Sequence, residues 1–109
     1  MTDHFSDENR DRAMEYLAET DELAASLKAN EVRTEYLAKV AEALAFRMCE
    51  GSVEAKKAEA KTMPNVLEAW KEHFQAIQDY ELVKAKRARA VLVVDTWRSV
   101  NANRRAGNV

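Results

Sequence analysis

The chain has 109 residues, with 17 Lys and Arg against 19 Asp and Glu, and only two Gly and one Pro. That length allows one ordinary domain or a pair of helical elements, and the scarcity of turn residues argues against a turn-rich β architecture. A single cysteine, Cys49, excludes an intramolecular disulfide, and no apolar run reaches the roughly 20 residues of a membrane-spanning helix.

The N-terminal stretch Met-Thr-Asp-His-Phe-Ser-Asp-Glu lacks the basic-then-apolar layout of a signal peptide, so the expected location is a reducing cytoplasm. Ser6, followed by Asp7 and Glu8, is a good helix start. Its hydroxyl can accept a bond from a free backbone N–H, and the carboxylates suit the positive end of the helix dipole. A first long helix is expected from about residue 7 to residue 50. Leu23, Leu27, Asn30, Thr34, Leu37, Ala41, Leu44 and Met48 follow steps of four and three, a heptad seam with polar interruptions at Asn30 and Thr34. Gly51 ends the helix.

Ser52 is a natural N-cap for a short helix over 53–62 that has few apolar groups to bury. Pro64 lacks an N–H and disfavours helix at Met63, so the chain is expected to restart there. The second long helix is expected over 65–103, followed by a flexible basic tail over 104–109. Leu67, Trp70, Phe74, Ile77, Glu81, Lys84, Ala88 and Val91 share one face of it, and Ala76, Tyr80, Val83, Ala90, Val94 and Trp97 a second. The consecutive apolar residues Val91 to Val94 point to every side of a helix and call for neighbours on more than one face. The expected fold is therefore all-α: two long amphipathic helices joined by a short helical segment, a helical hairpin or coiled-coil bundle forming one domain. A homo-oligomer, with a dimer favoured, would meet through Trp70, Phe74, Ile77, Val91, Val94 and Trp97.

Few patterns point to chemistry. Two isolated glycines make no phosphate loop, and no Cys/His spacing suits zinc. His4 and His73 read as ordinary residues, Glu15/Glu19 and Glu31/Glu35 as solvated acidic faces, and Cys49 as a small core residue. No enzyme activity, cofactor or metal is expected.

Charge is distributed unevenly. Residues 1–35 hold ten acidic and four basic side chains, whereas residues 84–109 hold one acidic and seven basic. The seven are Lys84, Lys86, Arg87, Arg89, Arg98, Arg104 and Arg105, with Trp97 and the donors Asn101, Asn103 and Asn108 among them. Such a cluster suits nucleic-acid phosphates. It equally suits a helix C-terminus packed against the acidic first helix. Both readings stand on the sequence.

The segment from Lys84 to Asn108, read together with Glu50-Gly-Ser-Val-Glu-Ala-Lys, resembles small uncharacterised helical proteins of tailed bacteriophages encoded among early genes for recombination and replication. The likeness covers the stretch from residue 50 onward, and Pro64 departs from the uninterrupted helix of that pattern. It implies an intracellular protein acting near DNA metabolism, and it carries over no catalytic residues. The expected function is sequence-independent contact with DNA through the basic C-terminal helix. The alternatives are a protein-interaction module that binds a recombination enzyme or inhibits a host factor, and a structural coiled coil.

Overall fold

The computed structural model describes residues 6–107, and within them the chain forms three helices and no strand. Helix α1 runs Asp7–Met48, α2 runs Val53–Thr62 and α3 runs Pro64–Gly107. Each boundary has a local cause. The Ser6 hydroxyl accepts from the Asn9 N–H at 3.1 Å, and Ser52 accepts from the Ala55 N–H at 3.1 Å. Gly51, at φ 113°, takes the left-handed turn that follows α1. Met63 is extended (φ −67°, ψ 136°), as the pyrrolidine ring of Pro64 requires of its predecessor. The Met63 carbonyl then accepts from Val66 and Leu67, both at 3.0 Å, and so opens α3.

The basic segment expected as a flexible tail differs: α3 continues through Arg104 and Arg105 to Gly107. Two cations in the last turn complement the negative end of the helix dipole, and no helix breaker precedes Gly107. His4 and Asn108 lie outside the described residues.

The chain divides into two compact units. One, residues 26–81, is a helical hairpin: the later part of α1, then α2, then the start of α3. Ala45, Cys49, Ala60 and Val66 are its buried cluster, with Ala41, Phe46, Met63 and Trp70 packed on it. Thr34 and His73 meet across the hairpin, Oγ1 to Nδ1 at 3.1 Å, both buried. The Thr34 oxygen also lies 2.8 Å from the Asn30 carbonyl. With the single hydroxyl hydrogen given to that carbonyl, Nδ1–H of His73 donates to Thr34.

The other unit comprises described residues 6–25 and 82–107. Asp7 pairs with Trp97 and Thr20 with Arg87, so one number falls as the other rises and the two segments are antiparallel. Ala13, Ala90 and Val94 are buried here, with Tyr16, Leu17 and Val93 beside them.

In the hairpin, α1 is turned by about one residue from the expected seam. Leu27, Asn30, Thr34 and Ala41 are buried or half-buried as expected, but Ala38 and Ala45 replace Leu37 and Leu44 as their companions, and Leu37, Leu44 and Met48 are exposed. Alanines allow the backbones to approach closely, and the α3 positions opposite include bulky Val66, Trp70 and His73, which need that room. The buried face of α3 in this unit is Val66, Ala69, His73, Ala76 and Tyr80, and in the other unit Val83, Arg87, Ala90, Val94 and Trp97. Six of the nine buried apolar residues among those described are alanines, which bury little area each, so the core is thin.

Candidate nucleic-acid interface

The basic residues of α3 separate by azimuth. At 100° per residue, Lys86 and Arg89 lie about 60° apart on one flank, and Lys84 lies roughly 160° round from Lys86. Within the unit of residues 6–25 and 82–107, Lys86 and Arg89 line an open cleft with Ala90 and Val93 of α3 and Arg12, Ala13 and Tyr16 of α1. Small Ala13 and Ala90 leave the gap between the helices; Tyr16 and Val93 form apolar walls, and the three cations ring it. Among the described residues no carboxylate lines it. Arg12 bonds Glu8 at 2.5 Å in an exposed pair, whereas Lys86 and Arg89 have no protein partner among the described residues. Arg104 follows Lys86 by 18 residues, five whole turns, so it shares Lys86's azimuth about 27 Å farther along α3. Exposed Arg105 is turned by a further 100° or so.

Arg87 has a different place. Its Nη1 donates to the Leu17 carbonyl at 2.8 Å and to Thr20 Oγ1 at 2.6 Å, and its Nη2 to Asp21 Oδ1 at 2.6 Å. Thr20 in turn donates to the Tyr16 carbonyl at 2.7 Å. A guanidinium with three partners on α1 serves as an internal pin, because leaving them to meet a phosphate would leave those acceptors unpaired. Arg98 lies 3.8 Å from Asp95, a loose exposed pair.

The expected interface residues also divide. Val94 is 7% exposed and packs inside its own unit. Trp97 donates Nε1–H to Asp7 at 2.8 Å, with the Arg10 guanidinium 4.0 Å above its ring, so one face of the indole is covered within the chain. Trp70 packs on the hairpin core and donates to Glu42 at 3.3 Å, and Ile77 is half-buried. Only Phe74 and Val91 of the six are exposed. The physical reason is the alanine-rich α1, which lets the large residues of α3 find cover inside the chain.

The hairpin carries a second cationic cleft, formed by Lys39, Lys57 and Lys61 around Phe46, Ala43 and Ala60, but Glu42 lines it too. Lys39 is moreover bound to Glu35 at 3.1 Å, and its hydrogen bond and charge hold the Glu35 carboxyl below the ordinary carboxylate value. The cleft at Arg12, Lys86 and Arg89 is thus the less compensated of the two. Cys49 is buried, and that burial, with Glu59 nearby, pushes its thiol above the usual value. Among the described residues no group of His, Cys, Asp and Glu has the arrangement of a metal site, and no helix is long and apolar enough to cross a membrane.

Arg12 was not among the expected residues. It is 74 positions from Lys86 in an acidic stretch, and only the antiparallel pairing brings the two together.

No family model matches the chain, and no significant match exists to a curated protein or a solved structure.

Proposed function

We propose that the protein is a non-enzymatic nucleic-acid-associated factor that contacts phosphates without sequence preference through Arg12, Lys86 and Arg89, with Arg104 extending the contact along α3. The observation that carries this reading is the convergence of three cations from two helices on a cleft that no carboxylate lines among the described residues. Two of them have no protein partner among the described residues. Cations so placed release counterions when they meet a phosphate backbone, and the exposed part of Tyr16 offers a surface for a sugar or base. The resemblance of the C-terminal segment to phage proteins supports, as part of this proposal, a setting in phage recombination or replication inside the host cell.

The test is fluorescence anisotropy of labelled single- and double-stranded DNA of several sequences, titrated with the protein and with the Lys86→Ala/Arg89→Ala variant. Saturable binding of all sequences, weakened about tenfold or more in the variant, supports the reading. Equal binding by the variant would remove the cleft from it.

A second reading, self-association, rests on a separate observation. Val91 and Leu92 are both exposed on α3, about 100° apart in azimuth, Leu92 at 64%. Burying such side chains from full exposure contributes about 1.5 to 3 kcal/mol each, and about half of that is left to gain from their present partial exposure. A homodimer is the simplest closed assembly that would take it up.

A further inference from the structure

The hairpin of residues 26–81 has a groove that the phosphate reading does not use. Asn30, Arg33 and Thr34 of α1 line it on one side, and Glu72, Gln75, Ala76 and Asp79 of α3 on the other. Leu37 lies between the azimuths of Asn30 and Arg33, and Leu44 follows one heptad later, so the α1 wall continues as an apolar stripe. Leu37 is 44% exposed and Leu44 52%, with half-buried Val40 between them. Glu68, one turn before Glu72, continues the α3 wall as an acidic one. Glu68 and Glu72 have no cation partner among the described residues, and Asp79 receives only the Gln75 amide, at 2.9 Å. Arg33, at one end of the α1 wall, is turned to the Asn30 side-chain oxygen at 2.7 Å.

We infer that this groove docks a basic amphipathic helix of a partner protein as a third helix. Three features fix its chemistry. Ala76, the small side chain between the walls, leaves room for an incoming helix to approach to the 8 to 10 Å of ordinary helix packing. The exposed leucines on the α1 side ask for Leu- or Ile-type side chains at heptad positions. The three carboxylates on the α3 side, none in an ion pair among the described residues, ask for Lys or Arg along one edge of that helix, and repel an acidic one. Residues 30–48 of α1 measure about 27 Å, which about 18 residues of partner helix would match.

The probe is a pair of labelled 18-residue peptides with one leucine heptad stripe, bearing Lys along one edge in the first and Glu at the same positions in the second. Anisotropy is read against the full-length protein and against a Glu68→Lys/Glu72→Lys/Asp79→Lys variant, with circular dichroism confirming that the variant stays helical. The Lys peptide is expected to bind the native chain at least tenfold tighter than the Glu peptide, with the preference reversed on the variant. Equal binding of the two peptides, or no binding of either, overturns the proposal. A Leu37→Glu/Leu44→Glu variant separates the remaining occupant. If that substitution converts a dimer to a monomer in sedimentation, the groove belongs to a second copy of this chain, and the basic-helix partner is again overturned. None of these readouts involves nucleic acid, so their failure is distinct from failure of the phosphate reading.

Discussion

At the scale of single residues, two polar contacts hold α1 to α3, and each makes a prediction. Thr34 and His73 are buried and bonded to each other. Replacing only one leaves the other without its cross-helix partner, at about 1 to 3 kcal/mol, whereas an apolar pair of matching shape removes the unmet polar group. In urea denaturation, Thr34→Val and His73→Phe are each expected to destabilise, and the double variant less than their sum. Strict additivity would contradict the contact. Arg87 has three partners on α1 but remains partly exposed, so Arg87→Ala is expected to cost about 1 to 3 kcal/mol of stability. It should change DNA affinity little once folding is accounted for, whereas Arg89→Ala should do the reverse. Comparing melting and binding of the two variants checks the assignment. Burial holds the Cys49 thiol above its usual value, so it stays protonated at neutral pH. Its stabilising contribution is present below the unfolded value and lost as pH rises through the folded one. Its reaction with a thiol reagent should be slow in the folded protein at neutral pH and fast in urea; equal rates would contradict that burial.

At the scale of elements, the helices were legible and the rotation of α1 was not. Ser6, Gly51, Ser52 and Pro64 mark three boundaries by local chemistry that needs no tertiary context, and the structure uses each of them. The seam of α1 follows another criterion. Hydrophobicity selects Leu37 and Leu44 over Ala38 and Ala45, whereas close packing against Trp70 and His73 selects the small residues, and only the partner helix reveals which criterion governs. The same limit separates the basic residues. Spacing shows that Lys86 and Arg89 share a flank, but Thr20 and Asp21, which claim Arg87, and Arg12, which completes the cleft, are distant in sequence. Gly51 supplies the element-scale prediction. At φ 113° an L-residue is strained, although an added Cβ would meet nothing closer than the Ala55 Cβ at 3.5 Å. Gly51→Ala is therefore expected to destabilise by about 1 to 2 kcal/mol through the backbone alone, read as a lower urea midpoint with unchanged slope.

At the scale of the whole molecule, exposed apolar side chains and a thin core belong together. Leu82, Val91 and Leu92 lie uncovered on one unit, and Leu37, Leu44, Leu67 and Phe74 on the other. If self-association covers Val91 and Leu92, the melting temperature should rise with protein concentration and Val91→Lys/Leu92→Lys should abolish that rise. A melting temperature independent of concentration would contradict it. The central claim concerns the cationic cleft, and the salt dependence of DNA binding tests it most directly. With Arg12, Lys86, Arg89 and Arg104 each on a phosphate, a plot of log affinity against log salt for duplex DNA should fall with a slope of about −3.6. The Lys86→Ala/Arg89→Ala variant should flatten that slope by about 1.8. No binding at low salt, or the same slope in both proteins, would contradict the account.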